Sequence, residues 1–344
     1  MKEKRIRLSV VINMSIMVIT LVMAMLLAVY ALANPDFDIH LITNIIIALL
    51  IINIGTLFIL LRKYKSIVPS DETLRLSIIG LPSVGKTVFC TVFMYSLIVK
   101  ELINIDKEKI SMEKYGDDTS ERVTKDYADL LKGINPPSTS LRRYMSYRGV
   151  LNIGSSARCG PNKYSFVVSD HAGQPLEEMV REMSGAKPEK DNDFSDSHFR
   201  KTEYFKDIKE SQMFFLMVDL EKLLNEEVES INTVDLERAF LTTIMDVRRK
   251  RKQNLDDKFP YPIALIFLKS DALKGDPEYI KDDVIGKFSN LCSYCKKECE
   301  HFACYFISST SGNVEELKQK IKPSENFFEP FEWALQRYRE NAEN

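Results

Sequence analysis

The sequence predicts an α/β domain with a mostly parallel central sheet flanked by helices, preceded by a transmembrane helical hairpin. Three observations predict it. From residue 67 onward, strand-length apolar runs alternate with helix-period patterns. A glycine-containing turn joins the first of those strands to the first of those helices. Ahead of both stand two long runs without a charged side chain. The expected domains are therefore residues 1–66, the hairpin anchor, and residues 67–344, the α/β domain.

The first uncharged run covers residues 8–33 and the second residues 39–61. At about 1.5 Å rise per residue, either helix is long enough for a hydrocarbon core of roughly 30 Å. The polar turn Asn34-Pro35-Asp36-Phe37-Asp38 separates them and carries no Lys or Arg. Lys2, Lys4, Arg5 and Arg7 precede the first run, and Arg62, Lys63 and Lys65 follow the second. The positive-inside rule then puts both termini and the α/β domain in the cytoplasm. The first run is too long for a signal-peptide h-region and lacks an obvious small-residue cleavage site. An integral membrane protein with two transmembrane helices is expected, with the lipid bilayer as a partner. Asn13, Asn44 and Asn53 are candidates for bonds between the helices. No ionisable group stands mid-run, which argues against transport or proton relay.

In the remainder, candidate strands are 75–79, 143–152, 163–169, 213–218, 263–268 and 302–307. The second and third form a hairpin around Gly160-Pro161-Asn162. Candidate helices are 86–102, 120–131, 234–252, 279–298, 314–320 and 330–341. Two polar stretches, 104–138 and 174–211, read as long loops carrying some helix. The formal net charge of −2 shows no basic excess, so nucleic acid is not an expected partner. Arg248-Arg249-Lys250-Arg251-Lys252 reads as a solvated helix end, with anionic headgroups as the alternative contact.

Six cysteines, Cys90, Cys159, Cys292, Cys295, Cys299 and Cys304, do not form the spread pairs of a disulfide scaffold. Cys292, Cys295 and Cys299 share one helical face, and buried thiols are expected rather than a zinc site, since no second C-x-x-C accompanies the first.

The run Gly80-Leu81-Pro82-Ser83-Val84-Gly85-Lys86-Thr87 follows an apolar strand and opens a helix. This is G-x-x-x-x-G-K-T. Its successive backbone N–H groups wrap phosphate, and glycine removes side chains that would block them. The helix N-terminus adds positive potential. Lys86 is expected on the β and γ phosphates and Thr87 on Mg²⁺.

Three further segments bear on the nucleotide. Asp170-His171-Ala172-Gly173-Gln174 ends a strand with D-x-x-G-Q. Asp170 is placed to hold the Mg²⁺ shell, Gly173 to meet a γ-phosphate and Gln174 to orient the attacking water, so Gln174 and Lys86 are the candidate catalytic residues. Lys269-Ser270-Asp271 ends another strand; the Asp271 carboxylate can accept from N1 and N2 of guanine, and the Lys269 stem can pack on the base. Ser308 and Ser309 end the last strand and can turn donors toward the base oxygen.

In order, these segments resemble the motifs of the Ras/Arf-like P-loop GTPases of the translation-factor-related class, and residues 74–311 carry the resemblance. The segment 326–335 is similar to the C-terminal end of prokaryotic double-GTPase-like proteins. The layout, a membrane-attached domain, is similar to the signal recognition particle receptor β subunit. The resemblance implies a G-domain that takes GTP/GDP with Mg²⁺, hydrolyses GTP slowly unless assisted, and answers to a protein effector or GTPase-activating partner. It also implies a switch threonine before the second strand, for which Thr139 is the choice and Ser138 the neighbour. Two positions depart from the pattern. Leu268 stands where Asn or Thr usually begins the base motif, so a lower nucleotide affinity is expected. Pro82 stands where Gly is common, which departs from the usual partner-assisted arginine geometry. The alternatives to a GTPase switch are a non-hydrolysing GTP-binding scaffold and an ATPase subunit of a membrane complex.

Overall fold

The computed structural model describes residues 70–99, 103–105, 108–114, 117–136, 145–154, 162–185, 208–225, 233–251, 257–273, 277–309 and 324–343, with parts of 20–29 and 44–55. The chain divides into two compact units, residues 1–70 with 153–163, and residues 71–152 with 164–344.

In the first unit the described residues of 20–29 and 44–55 are helical. Thr20 Oγ1 donates to Asn53 Oδ1 at 2.9 Å, and Asn53 Nδ2 donates to the Leu49 carbonyl at 2.9 Å. A buried amide thus joins the two segments, while Val22, Met25, Leu26, Val29, Ile51 and Ile54 are exposed. Among the described residues no helix is long and apolar enough to cross a membrane. Most of the expected spans, 8–33 and 39–61, lies outside the described residues.

The second unit is built on strands β1 (Ser70–Gly80), β2 (Ile103–Ile105), β3 (Glu108–Lys114), β4 (Met145–Ile153), β5 (Asn162–Asp170), β6 (Met213–Asp219), β7 (Ile263–Leu268) and β8 (Phe302–Ile307). They form one sheet in the order β2-β3-β4-β5-β1-β6-β7-β8. β1, β6, β7 and β8 run parallel, in the register Ile79↔Leu216, Leu216↔Leu265 and Leu265↔Cys304. Every residue of β6 and β7 is buried, as expected of parallel strands covered on both faces. β1 is central: β2 to β5 lie on one side of it, and β6 to β8 lie on the other. The order therefore reverses at β1, the place outside whose C-terminal end open α/β sheets generally bind their ligands.

The helices are α1 (Lys86–Val99), α2 (Asp117–Leu131), α3 (Gln174–Met183), α4 (Leu220–Leu224), α5 (Thr233–Lys250), α6 (Pro277–Gly286), α7 (Ser289–Glu298) and α8 (Glu329–Glu343). α1 is apolar nearly all round, which requires cover on every side. The sheet covers one side, and an aromatic cluster at the chain's end covers another: Phe89–Phe327 and Phe93–Phe331 have ring centroids 5.0 Å apart, and Phe166–Phe331 5.6 Å. On a separate core face, Leu176, Val180, Phe240, Ile244, Leu291 and Cys295 pack with inward residues of β6 and β7. Buried Glu237 of α5 accepts from the Leu291 N–H at 2.8 Å and from Asn290 Nδ2 at 2.9 Å, docking α7 by its first turn.

The strand and helix expectations hold closely on the strongly apolar segments. The stretch 104–138 differs in part: beside the expected helix, here α2, it holds the strands β2 and β3. In β3, Ile110 and Met112 alternate inward between charged neighbours, and α2 buries Val123, Tyr127 and Leu130 on one face. The stretch 174–211 begins with α3. The helix expected over 279–298 is two helices, α6 and α7, meeting around Lys287-Phe288. The helix expected over 314–320 and the turn at Gly160-Pro161 lie outside the described residues. Cys90, Cys292, Cys295, Cys299 and Cys304 are free; Cys299 sits in an extended cap just past α7 rather than on its face. Among the described residues no cluster of His, Cys, Asp and Glu is arranged to hold a metal.

Phe331 is 1 % exposed and closes the cluster over α1. Phe331→Ala is expected to cost about 3–5 kcal/mol of stability, read from the denaturant midpoint of unfolding at unchanged slope.

Candidate functional site

β1 delivers the chain to Gly80 beside β6. A Cβ on Gly80 would stand 2.7 Å from the Met217 carbonyl oxygen, so only glycine lets the turn start this close to the neighbouring strand. The loop then passes Leu81 and Pro82 to Ser83, at φ 60°, and Gly85, at φ 99°. Ser83 is a non-glycine residue in the left-handed region, which costs energy and is retained where the surroundings over-determine it. Val84 is buried and anchors the loop, and the Phe89 N–H donates to the Gly85 carbonyl at 2.9 Å, opening α1.

Lys86 is 6 % exposed and folds back into the loop. Its Nζ donates to the carbonyls of Gly80 at 2.8 Å and Leu81 at 2.7 Å. Burial lowers its pKa to about 8, with nearby Asp170 opposing that shift. Thr87 Oγ1 donates to Asp170 Oδ2 at 2.8 Å, and Asp170, at the end of β5, is fully buried. An ammonium, a hydroxyl and a carboxylate therefore meet where β1 and β5 end. The hydroxyl and carboxylate are hard oxygen donors of the kind Mg²⁺ prefers.

The segment after Asp170 lies directly on the phosphate loop. A Cβ on Gly173 would stand 2.2 Å from the Pro82 nitrogen and 2.4 Å from the Leu81 carbonyl carbon. Gly173 is also the N-cap of α3, whose first residue is Gln174. The Gln174 amide oxygen is buried and accepts no hydrogen bond among the described residues. His171 is buried; its Nε2 lies 3.0 Å from Ser77 Oγ, which lies 2.7 Å from Ser211 Oγ. Burial, then Lys86, lowers the His171 pKa to about 3, so the ring is neutral near pH 7.

The second half of the site stands at the ends of β6, β7 and β8. Lys269 takes the left-handed conformation, φ 63°, and its Nζ donates to Asp219 Oδ2 at 2.9 Å and Glu221 Oε2 at 2.8 Å. Asp219 is 7 % exposed and caps α4. Asp271 is exposed and accepts from Ser308 Oγ at 2.7 Å. Ser308 is held in turn by Ser324, whose Oγ accepts from the Ser308 N–H at 3.1 Å, and Ser309 follows it half-buried. Leu268 is buried, and its Cδ1 lies 3.6 Å from where a Cβ on Gly85 would stand. An apolar contact therefore joins the base-side turn to the phosphate loop at the position where the resemblance implies a polar one.

The fold thus brings together Gly80 to Thr87, Asp170, Gly173 and Gln174 in one cluster, and Lys269, Asp271, Ser308 and Ser309 in a second. Thr139 and its neighbour Ser138 lie outside the described residues. Asp219 and Glu221, which hold Lys269, escaped the sequence reading. Their signal was an acid ending the apolar run of β6, as Asp170 ends that of β5.

No protein-family model and no curated protein matches the chain. Solved structures similar to it include a nucleolar GTP-binding protein 1 of Plasmodium falciparum, at 9 % identity and TM-score 0.32 over 80 % of this chain and 92 % of that one. Another is the Arl6 small GTPase of Trypanosoma brucei with a bound nucleotide analogue, at 11 % identity and TM-score 0.35 over 78 % and 98 %. A third is Era of Aquifex aeolicus bound to GDP and aluminium fluoride, at 16 % identity and TM-score 0.31; it covers 72 % of this chain, which spans 55 % of that one. Likeness at this level assigns neither ligand nor activity to the chain.

Two predictions follow from the geometry. Between about pH 8 and the ordinary lysine value, the unfolded chain keeps a proton that folded Lys86 has released, so this group's contribution to folding improves as pH rises through that window. A polyphosphate bound at this loop would reverse the preference. Its binding is expected to take up a proton above about pH 8 and to weaken by up to about tenfold per pH unit there, read by calorimetry in buffers of different ionisation enthalpy. Gly173→Ala is expected to force the phosphate loop and the start of α3 apart. The amides of residues 81–83 and 173–175 would then shift in the NMR spectrum, and unchanged amides would contradict the contact.

Proposed function

We propose that this chain is a membrane-anchored GTP-binding protein that hydrolyses GTP to GDP as a conformational switch. The observation that carries the reading is the buried meeting of Lys86, Thr87 and Asp170 at the C-terminal ends of β1 and β5. An ammonium directed at loop carbonyls, at the start of an apolar helix, is an arrangement that a polyphosphate completes.

Thr87 and Asp170 would hold Mg²⁺, which, when bound, neutralises charge on the phosphates. The chain's own groups do the rest. Loop N–H groups and Lys86 take phosphate oxygens, so Lys86 exchanges carbonyl partners for phosphate and its pKa rises. Gly173, already against Leu81 and Pro82, would offer its N–H to the terminal phosphate. Gln174, adjacent to it, would turn its amide toward the attacking water. That requires the first turn of α3 to move, which links the γ-phosphate to the order of segment 174–211. Guanine would lie between the Lys269 stem and the turn at Ser308 and Ser309, with Asp271 accepting from its N1 and N2. Adenine has no matching donors. The ion pairs of Lys269 with Asp219 and Glu221 would keep the stem extended as a platform.

The membrane part of the reading is supported by the two uncharged runs and by the apolar side chains exposed on the described helical residues of both. It places both termini and the GTPase domain in the cytoplasm. Hydrolysis is slow in this reading until a protein partner adds charge at the transition state. A second reading, a scaffold that binds GTP without turnover, is favoured by one observation: the Gln174 amide oxygen is turned inward at the head of α3.

Calorimetric titration of the full-length chain with GTP, GDP and ATP in Mg²⁺ tests the first reading. Guanine nucleotides are expected to bind and ATP to bind at least about tenfold more weakly. Lys86→Ala is expected to abolish binding, and equal affinity for ATP would remove the assignment of Asp271. Gln174→Leu separates the two readings: the switch loses turnover and keeps binding, whereas the scaffold is unchanged.

A further inference from the structure

At the other end of the parallel strands, near the start of the β1–β6 pairing, lies an open surface pocket of about 460 Å³. Arg75, Lys209, Glu210, Gln212, Arg251 and Tyr261 line it. Three cations face one carboxylate. Glu210 stands 3.8 Å from Arg75, both partly exposed, a separation at which an ion pair contributes little and leaves the lining positive.

The wall is built rather than loose. The Arg251 guanidinium donates to the carbonyls of Lys209 and Ser211 and lies 4.2 Å from the centroid of the Tyr261 ring. Arg75 N–H donates to Gln212 Oε1 at 2.7 Å, and Gln212 N–H returns a bond to the Arg75 carbonyl at 2.9 Å. Two guanidinium groups and an ammonium on fixed backbone suit an oxyanion with several equivalent oxygens, which takes forked and point-charge donors at once. The volume exceeds a bare phosphate and falls within the range of small-ligand sites.

The pocket is also joined to the candidate nucleotide site. Ser211, whose carbonyl Arg251 holds, lies 2.7 Å by its hydroxyl from Ser77 Oγ, and Ser77 lies 3.0 Å from His171 Nε2. Ser211, Ser77 and His171 are all buried, and His171 directly follows Asp170. An anion drawing on Arg251 competes with the Ser211 carbonyl for the same guanidinium. In a low-dielectric column, that adjustment passes to the next hydrogen bond.

We propose that this pocket binds a phosphate monoester, free or as a lipid headgroup, and that its occupation is transmitted through Ser211 and Ser77 to His171. The binding stands on the pocket alone; its value as regulation rests on the nucleotide reading of the adjoining site.

The test uses full-length Lys86→Ala, so that the phosphate loop contributes nothing, titrated with inorganic phosphate and, separately, with phosphatidylcholine vesicles with and without phosphatidic acid. Saturable binding to at least one anionic probe is expected, weakened at least about tenfold by Arg75→Gln with Lys209→Gln. Binding to phosphatidic acid vesicles alone identifies a headgroup, and binding to free phosphate identifies a soluble ligand. Binding to neither probe, or undiminished binding in the double variant, overturns the site. The coupling is read on the imidazole resonance of His171, one of four histidines, assigned by its loss in His171→Asn. The bound probe is expected to shift it in the parent chain and not in Ser211→Ala, which keeps its probe binding. An unmoved resonance in the parent, or an equal shift in Ser211→Ala, overturns the transmission. Neither readout needs nucleotide, so failure of the GTP reading leaves both interpretable.

Discussion

The burial of one ammonium group organises the candidate site. Lys86 sits almost out of water, and a lone charge there would be costly, so it gives up basicity and takes the Gly80 and Leu81 carbonyls as partners. Those carbonyls are available because the loop turns through left-handed conformations at Ser83 and Gly85. Asp170 offsets part of the desolvation and is itself anchored by Thr87. The strained turn, the depressed lysine and the buried carboxylate are three expressions of one arrangement.

The sheet supplies the geometry that this arrangement requires. Because the order reverses at β1, the loop leaving β1 has β5 on one side and β6 on the other. Asp170 arrives from one neighbour and Asp219 from the other. The acid on β5 reaches the loop through Thr87, and the acid on β6 holds Lys269. Glycine is required at both close approaches, Gly80 against Met217 and Gly173 against Leu81 and Pro82. The second approach puts the loop and the head of α3 in contact, so neither moves without the other.

Between the two ends of the parallel strands runs a polar column, Ser77, His171 and Ser211, inside an otherwise apolar interior. Its groups are mutually satisfied, which is the condition under which buried polar side chains are tolerated. A neutral His171 fits this column: burial, and then the nearby Lys86, disfavour its protonated form and lower its pKa. Stability drawn from this group is present above its ordinary pKa and is lost as pH falls toward about 3.

Much of the fold was legible because hydrophobic period is a local property. β6, β7 and β8 are continuous apolar runs, and their bounds were readable to within a residue. The loop from Gly80 to Thr87, the acid at Asp170 and the pair Lys269 and Asp271 were legible because G-x-x-x-x-G-K-T and acids at strand ends are patterns of neighbouring residues. What was not legible depends on partners distant in sequence. β3 hides its two inward residues, Ile110 and Met112, among charges, and becomes a strand through pairing with β2 in the sheet. α6 and α7 share one helical period, and they separate around Phe288, which is buried against Phe267 of β7. The roles of Asp219, Ser77, His171 and Ser211 had no motif to mark them, since each acts through a residue tens of positions away. The sequence by itself determined the strand–loop–helix at residues 75–99 and the chemistry of its loop, because those bonds are made between neighbours in the chain. Only the tertiary structure decided that Gly173 rests on Pro82, that Leu268 comes close to Gly85, and that Lys269 is paired, because these follow from strand order.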